Sequence, residues 1–501
     1  MNRKHSSLSR RQMLKLMGTG AAGLALAACA APAAPQAGGE AAAPGQEAVV
    51  VKFDAGGFTP SKYTGQQLQE GQADLVAFEV VAEAYKEVKP NVTIEFQPVP
   101  MGNRREAMVT MLSGGTAPDM MWTQPDFVNE DLGKGWWLAL DPWLEMPSPY
   151  APEGHPARST WYEGFYPSVD FWRAPDGNLY MLLGDQTALG CYYNKDMFEA
   201  AGVAGEPETW ADWMAAAAMI QELGKAPIAW SGGGTGALDQ TTWVTGWLSK
   251  YFFWDLIPVY DKDGNGWPDK WEMADAIHEG TYSANMEEQV ARLRTFKGMA
   301  DFWQEGALGM EWEAVYRLFL GGDAGMCITG VWNLNRFLND PAREFELDWF
   351  YFRPVTQVTS ALIPEGVPMT NVASGYGSFQ YALTATALNN GTEDACADFL
   401  MYSTTPDNIT TIVSETPSTI PNVIGGRAHE ITQGMGFAET VEYPASSFQE
   451  DDSLLDFEYG MNFISVVLPY AVGQMGEDDM LAQLQGYMEA AAARMDAIRP
   501  T

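Results

Sequence analysis

The sequence of 501 residues predicts an α/β fold, on three observations. Its first foldable stretch runs strand, helix, strand. The same alternation continues to a clear C-terminal helix. A hydrophobic content of 46%, with 12% aromatics, fills sizeable cores. At roughly 150 residues per domain, the length allows two or three domains.

"AVVVKFDAG" (48–56) is an apolar strand, and "ADLVAFEVVAEAYKEVKP" (73–90) repeats its apolar residues at helical spacing until Pro90 stops it. "NVTIEFQPVP" (91–100) is the second strand, completing a βαβ unit. "RREAMVTMLSGG" (104–115) is a helix, and "TAPDMMWTQPD" (116–126) is a short strand entering a loop. "GWWLALDPWLEM" (135–146) begins a helix or turn, and "LAQLQGYMEAAAARMDAI" (481–498) is the C-terminal helix.

Ahead of this body, residues 1–28 have the layout of an export signal: a basic start, a short apolar stretch and small residues before Cys29. "SRRQMLK" (9–15) resembles the twin-arginine (Tat) motif, and "LAAC" (26–29) resembles a lipobox that makes Cys29 the lipidated residue. Residues 29–48, rich in Ala, Pro and Gly, form a flexible tether. The expectation is a body held by a lipid anchor at the outer face of a bacterial cytoplasmic membrane. No later apolar run reaches the roughly 18 residues that spanning needs.

The formal charge is −36, and the signal holds five basic residues and no acids, so the body is more negative still. Such a field repels phosphate backbones and excludes nucleic acid as a partner. Cys191, Cys327 and Cys396 each sit in apolar surroundings and read as buried thiols, with one Cys191–Cys327 bridge left open. His5, His155, His278 and His429 lack metal-ligand spacing, which argues against a zinc enzyme.

One loop has a spacing of its own. "DKDGNGWPDKWE" (261–272) places Asp261, Asp263 and Asn265 at positions one, three and five, Gly266 at six, the Trp267 carbonyl at seven, Asp269 at nine and Glu272 at twelve. That is the EF-hand calcium register, in which alternating oxygens on a sharp turn surround a hard dication. Pro268 and Pro258 depart from a sensor EF-hand, so the loop resembles those of dockerin or thrombospondin repeats. The expected cofactor is a structural Ca2+ stapling an insertion at about 255–275.

Four blocks then carry a family resemblance: "AYKEVKPNVTIEFQPVP", "LSGGTAPDMMW", "DGNLYMLLGDQTALGCYYNKDMFEAAGVAGEPETWADW" and "FLGGDAGMCITGVWNLNRF". In order and spacing they resemble the landmarks of the sugar-binding type (family 1) of extracellular solute-binding proteins of bacterial ABC importers, over nearly the whole body. In the most specific block (192–213) a strand, an Asn-Lys-Asp turn and a helix precede Thr209, a residue suited to cap the helix that follows. The resemblance implies a type II periplasmic-binding-protein fold: two α/β lobes, a hinge and a ligand cleft between them. By likeness, lobe 1 comprises 49–187 and 346–402, and lobe 2 comprises 188–345 and 403–501.

A sugar cleft needs aromatic platforms for flat C–H faces, beside carboxylates and amides for hydroxyls. Trp122, Gln124 and Asp126 follow the "PDMM" strand, where the family's ligand loop lies; Asp185 and Gln186 precede the crossover strand. Trp230 opens "SGGGTG", Trp332 follows "ITG", Tyr376 lies in "ASGYGSF" and Tyr459 in "DFEYGMNF". Trp137, Trp143, Trp172 and Trp243 read as ordinary aromatics of the kind that fill cores. "SGGGTG" lacks the Gly-Lys-Ser/Thr ending of a phosphate loop and reads as a flexible loop near the cleft.

Two functions remain apart: a binding protein that hands a small carbohydrate to ABC permease subunits, itself a monomer, and a secreted calcium-dependent enzyme acting on polysaccharide. No nucleophile, base and orienter set is recognisable, so the chain is expected not to be an enzyme. A non-sugar ligand, such as a peptide or polyol, is the alternative within the first class.

Overall fold

The computed structural model describes residues 47–65, 74–100, 104–170, 173–174, 176–264, 266, 268–370, 377–435, 443, 448 and 454–499. The predicted signal, Cys29 and most of the tether lie outside these residues, as do Asn265, Trp267, Tyr376 and the side chain of Asp126.

The strands are β1 (Val49–Asp54), β2 (Val92–Phe96), β3 (Met120–Trp122), β4 (Leu182–Leu183), β5 (Asp185–Gln186), β6 (Leu189–Asn194), β7 (Ala226–Ala229), β8 (Ala324–Gly330), β9 (Leu347–Tyr351), β10 (Gln380–Leu383) and β11 (Ile420–Pro421). The opening βαβ unit is present. β1 and β2 pair in parallel, with Val51 opposite Ile94, and helix Ala77–Val88 returns the chain between them. That helix buries Phe78, Val81 and Tyr85, and Phe78 meets Phe53 edge to face at 5.2 Å. β3 adds in parallel, and β10 and β4 complete a sheet of order β2-β1-β3-β10-β4. Neighbouring residues along its strands feed different cores, Met120 and Tyr381 one, Met121 and Ala382 another, so apolar layers cover both faces.

A second sheet has the order β7-β8-β6-β9, with β7 and β8 parallel. Its core draws on Trp213, Trp247, Phe296, Phe319, Phe463 and Leu484, one from each of six helices. Thr209 caps helix Trp210–Glu222 through a capping box with Asp212, an arrangement that typically stabilises by ~1 kcal/mol.

Two expectations change here, and one open question closes. β9 pairs with β6, so 347–351 belongs to the second sheet and the chain rejoins the first only at β10. Helix Pro406–Val413 buries Ile409, Ile412 and Val413 in the first sheet's core, and Val423 joins them; beyond Val423 the described residues Met435, Tyr443, Phe448 and those from Leu454 on pack in or against the second core. Cys191, Cys327 and Cys396 are free and buried, as the sequence reading has them: Cys191 lies opposite Ile328 and Cys327 opposite Tyr192, which puts these two thiols on opposite faces of the sheet and leaves no bridge between them.

β5 joins the sheets and pairs with β11 as a two-stranded ribbon. β4 ends beside the start of β10, as β3 does, and β6 starts opposite Gly330, the last residue of β8. The connection from Leu183 to Leu189 therefore links the carboxyl edges of both sheets, within at most ~20 Å of extended chain. No helix among the described residues is long and apolar enough to cross a membrane.

Candidate ligand-binding cleft

Ligands of open α/β sheets bind outside the carboxyl ends of the strands, and here two such edges are tied together by β5. On the first edge, Trp122 ends β3, half-buried. Gln124 follows as the N-cap of helix Pro125–Asp131, its side chain making no capping bond. Asp126 lies in the first turn of that helix.

On the second edge, Trp332 is 41% exposed just past β8. Its ring meets Trp243 edge to face at 5.7 Å, and Trp243 lies 5.9 Å from Trp312. The Trp312 indole N–H donates to Asp239 Oδ2 at 3.2 Å. Burial pushes the Asp239 carboxyl up to about 6, against the pull of that indole. Together these residues form an aromatic wall with a carboxyl at its base, the combination that sugar recognition uses. Trp243, Trp312 and Asp239 escaped the sequence reading; the available signal was the i, i+4 pairing of Asp239 with Trp243 on the helix after the glycine run.

Four other candidates lie inside the protein. Trp230 is fully buried, stacked on Trp303 at 4.2 Å and 8°, with its backbone held at both ends by Gln304. It is a core residue and not a platform, because helix Glu287–Ala300 and Trp303 pack over the end of β7. Tyr459 is equally buried, on the core face of helix Phe457–Ala471. Gln186 donates to Ser168 Oγ at 2.6 Å and Asn422 Oδ1 at 2.8 Å, fastening the ribbon. Asp185 accepts from the Phe379 N–H at 2.7 Å, and burial pushes its carboxyl up to about 7.

"SGGGTG" is packed rather than flexible. A Cβ at Gly232 would stand 2.7 Å from the Leu308 backbone, and one at Gly236 would stand 2.0 Å from Ser231 Oγ. Gly233 is the N-cap of helix Gly234–Phe252, so the run starts the helix that carries Asp239 and Trp243. Two cavities lie away from this wall, one of about 350 Å³ beside Tyr251 and Val355, the other of about 590 Å³ between Trp210 and Arg294.

The described residues of the acidic loop are tied together by hydrogen bonds from backbone N–H groups to its carboxylates. Asp261 accepts from the Gly264 and Gly266 N–H groups, both at 2.9 Å, and Gly266 takes φ +103°. Glu272 Oε1 accepts from the backbone N–H groups of Lys262 at 2.6 Å and Asp263 at 3.1 Å, while Asp269 caps helix Lys270–His278 in a capping box with Glu272. Carboxylate oxygens of Asp261, Asp263 and Glu272 lie within 4.8 Å of one another. Burial raises the Glu272 pKa, and the Asp269 charge adds to the rise. The Lys262 ammonium pairs with Glu279 at 2.8 Å.

The profile of the family described as bacterial extracellular solute-binding protein matches residues 70–407. A protein of Brucella abortus (strain 2308), named only as a binding protein, is 26% identical over 263 residues, 52% of this chain and 55% of the relative. The chain thus spans about half the length of the curated relatives it matches. A sugar-binding protein from Xanthomonas citri shares the fold at a TM-score of 0.63, with 15% identity over 90% of this chain and 98% of that one. A cyclic alpha-maltosyl-1,6-maltose binding protein from Arthrobacter globiformis matches at 0.60, with 16% identity over 90% and 99%. A RafE protein from Streptococcus pneumoniae matches at 0.57, with 16% identity over 90% and 100%.

Proposed function

Since the chain belongs to the bacterial extracellular solute-binding proteins, we propose that it captures a carbohydrate, an oligosaccharide by preference, between the carboxyl edges of its two sheets and delivers it to an ABC permease. The observation that carries this reading is the exposed Trp332 backed by Trp243 and Trp312, with Asp239 at the base of the wall. An indole matches the C–H face of a pyranose, and a carboxyl bonds its hydroxyls. Trp122 and Gln124 supply the opposite edge, and the β5–β11 ribbon is the hinge on which the edges approach. The sugar names borne by proteins of the same fold agree with this class of ligand.

A thermal-shift screen against mono- and oligosaccharides, polyols and dipeptides tests it, because a ligand of the folded state raises the melting temperature. A shift with a saccharide and no change in that saccharide by chromatography is the expected result. A shift only with dipeptides or polyols would move the ligand class, and hydrolysis of a glycan would favour the enzyme reading.

In this account the protein works as a monomer at the outer face of the cytoplasmic membrane, exported by residues 1–28 and anchored through Cys29. The loop 261–272 binds Ca2+ as a structural staple: Asp261, Asp263 and Glu272 already converge, and Asn265, the Trp267 carbonyl and Asp269 complete the register. Calcium is then expected to raise the melting temperature above that in EDTA, and Glu272→Gln to abolish the difference. Identical melting of the native chain in calcium and EDTA would exclude the staple.

A further inference from the structure

We propose that Arg104 is a positioning residue for solute capture, holding the Trp122 indole so that one face is presented to the ligand. The proposal rests on the reading of Trp122 as part of the ligand cleft.

Arg104 opens helix Arg104–Gly114 and is only 6% exposed. Its guanidinium spends its donors on three separate segments. Nη1 donates to the Val99 carbonyl at 3.1 Å, and Nη2 bonds both the Asp54 carboxylate and the Trp122 carbonyl. Asp54 is fully buried at the end of β1, and its second oxygen accepts from the Val99 N–H at 2.9 Å. One side chain therefore ties the end of β1, the loop after β2 and the end of β3.

The same guanidinium lies 4.7 Å from the centroid of the Trp122 ring. Gly56 approaches the root of that side chain: a Cβ there would stand 2.5 Å from Trp122 Cγ and 2.7 Å from its Cβ, and φ is +56°. The indole is thus fixed by its carbonyl, by a flat cation and by a backbone that only glycine allows. Desolvation makes a buried ion pair a poor source of stability, and such pairs are best understood through the geometry they impose. Lysine does not replace this arginine, because three acceptors and a stacked ring need a planar fork.

The test uses the full chain labelled with 5-fluorotryptophan, with Trp122→Phe identifying the Trp122 signal in the 19F spectrum. Arg104→Gln removes the cation; Arg104→Lys keeps a charge beside Asp54 and guards against loss of folding. In both variants the Trp122 signal is expected to shift and broaden while signals from buried indoles such as Trp230 stay in place. Calorimetric titration with maltotriose, raffinose and chitotriose supplies the second readout: the saccharide that binds the native chain binds both variants at least tenfold more weakly. An unchanged Trp122 signal overturns the proposal. So does a moved signal with unchanged affinity, since the arginine would then order an indole the ligand does not use. If no saccharide binds the native chain, the carbohydrate reading fails, and the Trp122 signal alone decides whether Arg104 positions the ring.

Discussion

The Trp332 indole lies over the backbone of Gly330, so near that a Cβ built at residue 330 would stand 2.0 Å from the ring. The platform therefore depends on a glycine two residues upstream at the end of β8. Trp332→Ala is expected to weaken saccharide binding at least about tenfold, or ~1.4 kcal/mol, with little change in melting temperature because the ring is exposed. Gly330→Ala displaces the ring and should weaken binding in the same titration. Undiminished affinity in Trp332→Ala would remove that indole from the site.

Trp230 should behave in the opposite way. It is fully buried against Trp303 and Phe296, so Trp230→Ala is expected to cost ~3–5 kcal/mol in a denaturant titration. A loss below about 1 kcal/mol would contradict a core role.

Two buried groups give stability opposite pH dependences. Asp185 keeps its proton to about pH 7 in the folded chain, whereas an unfolded carboxyl loses it near 3.8, so folding takes up a proton between these values. Its contribution is fully present below 3.8 and is lost as pH rises through 7. Lys250, fully buried beside Trp247 and Tyr251, has its ammonium pulled down to about 7 from 10.5 by desolvation. Folding there releases a proton, so stability rises from pH 7 to 10.5. Melting curves should show Asp185→Asn flattening the acid-side decline and Lys250→Met flattening the alkaline-side rise. Variants that track the native curve would refute these assignments.

Local pattern made part of this legible. The βαβ opening, the Thr209 cap and the glycine-bearing acidic loop depend on neighbours within a few residues, and the sequence displays those neighbours. Trp122 and Trp332 were readable as strand-end aromatics. Whether such an aromatic is covered is a nonlocal matter. Trp230 also ends a strand, but Phe296 and Trp303, more than sixty residues on, close over it. The register of β9 against β6 is likewise set by distant pairing, so the chain's return point was misplaced. Trp243 has the sequence surroundings of a core aromatic, and what sets it apart is the Trp332 ring brought against it from a distant segment.

The central claim is that a carbohydrate is held at the Trp332 wall. Isothermal titration of the intact chain with maltotriose, raffinose and chitotriose, repeated with Trp332→Ala, tests it most directly. The account predicts saturable one-to-one binding of at least one saccharide, weakened at least about tenfold in the variant. Binding of none of the three, or equal binding by the native chain and the variant, would contradict it.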